Sequence, residues 1–195
     1  MMGALTVPAE GLSAEPALAG AKSAGSQPSV RLTAEDVCRT YSAMVCRFAA
    51  MAAGSDLDAD DLAQDALLKA IRSLDRFDPA KGTIDRWLWR IVANVAKDSY
   101  RARARRLAMW RRLAARWHEP VGAVEDRALD AIENDELIEA VRNLNDRDRL
   151  LIALRFGADL ELGAVGDAIG LSGDSAGQAV LRALARLRQR LEVPR

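Results

Sequence analysis

Between Arg86 and Arg101 the chain sets two tryptophans among cations and an amide: Arg86, Trp87, Trp89, Arg90, Asn94, Lys97, Tyr100 and Arg101. Aromatic rings stack on unpaired bases and cations follow phosphates, so this composition suits single-stranded nucleic acid. Large aromatics are more often core residues. Both readings hold if one ring packs inside while its neighbour faces a ligand. Upstream lies a stretch of opposite sign, Asp58–Asp65, reading D-A-D-D-L-A-Q-D, dense in acid and free of base. Carboxylates in a first helical turn suit the positive end of the helix dipole. That accounts for one or two of them, and not for Gln64 and Asp65 presented beside Asp61. Little else could form a reaction centre. The chain has one histidine, His118, two cysteines and no Gly-rich phosphate loop, so it is not expected to be an enzyme. No metal or cofactor is expected either. The acidic run lacks the spacing of a calcium loop, and two Cys with one His make no zinc cage.

The elements that must position these residues are helical. Of 195 residues half are hydrophobic but only 5% aromatic, with Ala, Leu and Arg dominant, a mixture that favours helix over sheet. The formal net charge of zero hides segregation: Asp56–Asp65 is acidic, whereas Lys97–Arg116 carries eight cations against Asp98 alone. Separated signs suit two differently charged partners. Cys38 and Cys46 lie eight residues apart on one expected helix, roughly 12 Å along its axis. A disulfide needs Cα atoms within about 7 Å, so both are expected to be small core residues in a reducing compartment. The N-terminus lacks a basic leader and no apolar run reaches the length of a membrane span, which predicts a cytoplasmic protein.

In chain order, Met1–Val30 is rich in Ala, Gly, Ser and Pro without periodicity and is expected to be disordered. Thr33 caps a first helix with Val37, Tyr41, Met44, Val45, Phe48 and Met51 inward. A second runs from about Asp58 to Leu74 on an inward ladder of Ala63, Ala66, Leu67, Ala70, Ile71 and Leu74. The turn F-D-P-A-K-G-T follows, and Thr83 caps a third helix to about Arg106, with Leu88, Ile91, Val92, Val95 and Ala96 inward. Leu107–Glu133 reads as a partly helical linker. From Asp135 a second helical domain begins, with Leu137, Ile138, Val141 and Leu144 on its first helix. It ends in a short helix, the turn Gly170-Leu171-Ser172 and a longer basic helix, a helix-turn-helix arrangement. Val180, Leu184, Leu187 and Leu191 are its expected inward residues.

Together these elements resemble the sigma initiation factors of bacterial RNA polymerase, in particular the small two-domain extracytoplasmic-function (ECF) group. Family sequences read D-A-E-D-L-V-Q-E, F-D-P-x-x-G-S and W-L-F-R-I-A-R-N where this chain has D-A-D-D-L-A-Q-D, F-D-P-A-K-G-T and W-L-W-R-I-V-A-N. Three such motifs in order are far less frequent by chance than any one. The resemblance implies an all-α fold with a disordered tail over 1–32, a region 2-like bundle over 33–106, a linker over 107–134 and a region 4-like helix-turn-helix over 135–195. It implies that Asp58, Asp61, Leu62, Gln64 and Asp65 grip a coiled coil of the polymerase largest subunit. It also implies that Lys81, Arg86, Trp87, Arg90, Asn94, Lys97 and Arg101 capture the minus-10 element as single strand. The second domain would read the minus-35 duplex through Ser175, Gln178, Arg182 and Arg186, and would touch the polymerase flap. An anti-sigma protein is a further candidate partner. Family recognition helices commonly read S-x-G-T-V-K-S-R-L-H-R-A-R, and here Gly177 stands for a Lys and Ala179 for an Arg. Those exchanges suggest lost base or phosphate contacts. Gly163 and Gly166 in the preceding helix are also unusual. The leading expectation is a promoter-specificity factor; the alternative is a sigma-like interaction protein that occupies the polymerase or an anti-sigma partner without directing initiation.

Overall fold

Thr33 begins the first helix by a reciprocal cap. Its hydroxyl accepts the Asp36 N–H at 3.2 Å, and the Asp36 carboxylate accepts the Thr33 N–H at 3.0 Å. From there α1 (Ala34–Ala52) runs with Val37, Tyr41, Val45, Phe48, Ala49 and Ala52 buried. The computed structural model describes residues 32–117 and 135–192. The tail and the middle of the expected linker, including His118, lie outside the described residues. Ser55 caps α2 (Asp56–Arg72), two residues earlier than the acidic pattern suggests. The periodic ladder of α2 behaves as expected: Ala63, Ala66 and Ala70 are buried, and Leu67, Ile71 and Leu74 pack at the margin of the same core.

In the turn before the next helix, Asp78 accepts the Ala80 N–H at 3.0 Å and pairs with Lys81 at 3.2 Å. Gly82 then takes a φ of 148°, which side-chain-bearing residues rarely adopt. The following helix, α3 (Ile84–Trp117), is 34 residues long and extends well past Arg106. Leu107–Trp117 consists of Leu, Ala, Met, Trp and Arg with no Gly or Pro, so nothing stops the helix where the linker was expected to begin. The C-terminal module comprises α4 (Asp135–Arg142), α5 (Asp146–Ile152), a π-helical turn (Ala153–Gly157), α6 (Leu162–Ile169) and α7 (Gly173–Glu192).

These two modules share one core. Phe48, Leu88, Trp89 and Val92 belong to the same buried cluster as Leu151, Leu154, Val165, Ala168 and Val180. A smaller cluster of Val141, Leu144, Ile152, Ala183 and Leu187 joins α4 to α7. At Gly157 the modules meet backbone on backbone. A Cβ added at Gly157 would lie 2.9 Å from Phe48 Cα and 3.0 Å from the Arg47 carbonyl oxygen. Gly166 is required in the same way, because a Cβ there would come within 2.6 Å of the Leu171 carbonyl oxygen. The helix-to-turn contact accounts for that unusual glycine; an added Cβ at Gly163 meets nothing.

Several inward assignments are corrected. Cys38 and Cys46 are exposed, because each follows a buried valine (Val37, Val45) and so sits about 100° round from the packed stripe. Leu137, Ile138 and Leu191 are also exposed, with Ala140 and Val141 providing the buried side of α4.

Tyr100 on α3 donates its hydroxyl to the Ala52 carbonyl at 2.9 Å, and its ring lies 5.0 Å beneath the Arg149 guanidinium of α5. Burial raises its phenol from 10.0 to about 12, although the Arg149 charge pulls the other way. A raised folded-state value means full stabilisation below pH 10 and progressive loss as pH rises through about 12. We expect the urea midpoint to fall across that alkaline window, and Tyr100→Phe to flatten the decline. Tyr41, also shifted upward by burial and by its bond to Asp85, adds a slope of the same sign.

Candidate nucleic-acid and partner surfaces

On α2 the acids divide by role. Ser55 Oγ accepts the Asp58 N–H at 3.2 Å and donates to the Asp58 carboxylate at 2.9 Å, so Asp58 is half-buried and belongs to the cap. Asp61, Gln64 and Asp65 are exposed on one face, as expected. Leu62 is only 4% exposed, and its step of four to Ala66 and then Ala70 places it on the buried ladder, but it also lines the groove beside Asp61 and Asp65. A more exposed apolar residue beside the acids is Leu68, 45% exposed and missed in the sequence reading despite its place seven after Asp61. Beside it opens a groove of about 630 Å³ between α2 and α3, with Asp61, Asp65 and Leu68 on one wall and Asp98, Arg105 and Arg106 on the other. Acid facing base around an apolar centre suits a partner helix of mixed charge.

Along α3, residues 86, 87, 90, 94, 97 and 101 fall within an arc of about 100° on the helix circumference and extend roughly 22 Å along its axis. Arg86, Arg90, Asn94 and Arg101 are exposed. The tryptophans separate. Trp89 is 2% exposed and packs edge-on against Phe48, with centroids 5.9 Å apart. Trp87 is half-buried, held by the Phe77 ring at 5.6 Å. Lys97 is half-buried; desolvation, then the neighbouring Arg101, lowers its amine below the usual value. Three cations of the set already have carboxylate partners: Lys81 with Asp78, Arg101 with Asp98 at 3.0 Å, and Arg86 with Asp167 of α6 at 3.1 Å.

On α7, Ser175, Gln178, Arg182 and Arg186 share one exposed face. Ser175 is tied to the cap: its N–H donates to Ser172 Oγ at 3.3 Å, and the Ser172 hydroxyl donates to Ser175 Oγ at 2.9 Å. Arg186 donates to Asp148 at 2.7 Å, and the Asp148 side chain is 5% exposed. The reading of Gly177 and Ala179 as lost contacts is corrected. Ala179 is 4% exposed in the core, and a Cβ at Gly177 would meet Leu162 of α6 at 3.2 Å, so both face the packing side. Leu181, 67% exposed next to Arg182, is the residue of this surface that sequence reasoning passed over.

The Sigma-70 region 2 family matches residues 37–106, and the Sigma-70 region 4 family matches residues 140–189. The RNA polymerase sigma-E factor of Streptomyces avermitilis is 28% identical over 160 residues, covering 81% of this chain and 84% of that protein. The ECF RNA polymerase sigma factor BldN of Streptomyces coelicolor is 28% identical over 116 residues, covering 60% of this chain but 44% of its relative. Among solved structures, the sigma factor RpoE of Bartonella quintana, in complex with the anti-sigma factor NepR, has a TM-score of 0.62 at 21% identity. That match covers 83% of this chain and 98% of the other. CnrH, in complex with the cytosolic domain of CnrY, has a TM-score of 0.56 at 23% identity, covering 82% and 87%. At these identities the structural matches speak for the fold.

Proposed function

Because this chain belongs to the sigma-70 family, in its extracytoplasmic-function branch, we propose that it binds core RNA polymerase and directs it to promoters in the cytoplasm. The observation that carries this reading is the single face of α3. Arg86, Trp87, Arg90, Asn94, Lys97 and Arg101 form one stripe on which a melted minus-10 strand could lie, with Trp87 offering a ring and Asn94 an amide for an unstacked base. Held on the shared core through Trp89, that stripe is rigid, which limits the ordering cost of binding. The acidic face of α2, with Leu68 at its centre, is the proposed seat for the coiled coil of the polymerase largest subunit. The C-terminal module is proposed to read the minus-35 duplex with Gln178 and Arg182. Leu181 beside them is suited to apolar contact with a thymine methyl, and the flap is a further proposed contact of that module. Phosphodiester chemistry stays with the polymerase; this chain supplies affinity and position. An anti-sigma partner is proposed by analogy with the RpoE structure, captured in complex with the anti-sigma factor NepR.

In vitro transcription tests the reading. Core polymerase is given genomic DNA with and without this chain, and new 5′ ends are mapped. Start sites with shared upstream elements are expected. Binding to core without new starts would transfer the assignment to an interaction protein. For the core-binding face, Asp61→Ala with Gln64→Ala is expected to weaken affinity about tenfold, roughly 1.4 kcal/mol. Both side chains are exposed, so the thermal midpoint should not move. An unchanged dissociation constant in a titration against core would remove α2 from the interface.

A further inference from the structure

We infer that Asp174 sets specificity on the exposed face of α7: its carboxylate accepts from the amino group of a cytosine in the major groove and turns away the other three bases. This inference rests on the promoter reading above and names the base chemistry that the C-terminal module selects. Four residues in the first three turns of α7 are exposed together: Asp174, Gln178, Leu181 and Arg182. At 3.6 residues per turn they fall within an arc of about 100°. The buried residues Ala176, Ala179, Val180, Ala183 and Leu187 lie on the opposite side. Two further polar residues at the margin of the arc are committed within the protein. Ser175 belongs to the cap, where Ser172 Oγ accepts its N–H at 3.3 Å and donates to its hydroxyl at 2.9 Å. Arg186 is bound to Asp148. Asp174 is not committed. Ser172 closes the cap without it, and among the described residues no hydrogen bond or ion pair engages its carboxylate. The family pattern S-x-G-T-V-K-S-R has glycine at the aligned position, so this acid is a property of the chain and not of the fold.

The chemistry of base edges decides what such an acid selects. A carboxylate only accepts. In the major groove guanine shows two acceptors, thymine an acceptor and a methyl group, and adenine an acceptor beside its amino group. Cytosine alone shows an amino donor with no acceptor of its own. Against any other base the acid meets a lone pair, and the flanking phosphates repel it as well. Asp174 therefore weakens binding to every duplex that lacks a cytosine at that place. The rise of the helix adds an order. Asp174, Gln178 and Arg182 follow one another at roughly 6 Å, close to two base pairs at about 3.4 Å each. With α7 laid along the groove, acid, amide and guanidinium meet a cytosine, an adenine and a guanine in turn. An acid in a first turn also suits the helix dipole, but that role is blind to DNA sequence.

The test uses the full chain with core polymerase on a promoter found by start mapping, its minus-10 element fixed and its minus-35 region randomised. Templates that yield transcripts are sequenced. The parent chain should enrich cytosine at one position, beside the adenine whose enrichment Gln178→Ala abolishes. Asp174→Asn keeps the side-chain shape but supplies an amide, whose preferred partner is adenine. It should convert the cytosine position to adenine, changing the ratio of the two bases by about tenfold or more, and leave the other positions as they were. Asp174→Ala should erase the preference there, and it carries the comparison if the Asn variant loses helix content by circular dichroism. An unaltered base profile in folded Asp174→Asn and Asp174→Ala chains would overturn the inference and leave the acid a partner of the helix dipole. So would a loss of selectivity spread evenly over all positions. If the parent chain yields no starts, or enriches no upstream base, the promoter reading itself fails and the inference falls with it.

Discussion

Trp89→Ala is expected to destabilise the protein by about 3–5 kcal/mol, the range for removing a fully buried aromatic side chain. Trp89 is 2% exposed, with its ring edge-on to Phe48 at the centre of the core the two modules share. Its loss should therefore lower the denaturation midpoint of the whole described unit. Trp87→Ala, two residues away, should weigh more on function than on stability. That ring is half-buried, against Phe77 and the margin of the core, so stability should fall less than at Trp89. Promoter opening should suffer by the roughly 1–3 kcal/mol that one stacked base contributes. Urea denaturation and permanganate footprinting of a cognate promoter, run on both variants, separate the roles. Equal stability loss at the two positions would mean that the α3 stripe has been drawn on the wrong side of the helix.

The second large effect is Arg186→Ala, expected to cost about 2–3 kcal/mol in the absence of any DNA. Asp148 is buried and accepts from Arg186 at 2.7 Å and from the Asn145 side-chain amide at 2.7 Å. Removing the guanidinium leaves that carboxylate short of its charged partner. Adding Asp148→Asn should restore most of the loss, because a neutral side chain no longer requires the cation. Thermal denaturation of the two single variants and the double variant forms the cycle. Purely additive losses would show that Arg186 is free for DNA, as its place on the α7 face first suggested.

Much of the fold was legible because it is local. The ladder of α2, the caps at Thr33 and Thr83 and the alternation of α3 between Leu88 and Ala96 follow from the 3.6-residue period and from hydroxyl-to-amide bonding. The division between Trp87 and Trp89 also follows from period, since adjacent odd positions on a helix cannot share a face. Leu62 was legible in part: counting four residues to Ala66 places it on the buried ladder, while its neighbours Asp61 and Asp65 bring it to the floor of the groove. What could not be read is long-range. Nothing near Gly157 in sequence announces that Phe48 will touch it, and nothing near Asp167 announces Arg86. The placement of Ala179 inside depends on which side of α7 the rest of the module covers. A family pattern aligned by letters does not carry that information.

The backbone contact at Gly157 has a genetic consequence. Every replacement of that glycine adds a Cβ, and the Cβ alone collides with α1 whatever atoms follow it. Missense alleles at this codon should therefore form a single phenotypic class, alanine and serine grouped with valine and arginine. Most positions show the reverse, a graded series that follows size or charge. Denaturation midpoints of Gly157→Ala, Gly157→Ser and Gly157→Val should accordingly fall together, below that of the parent chain.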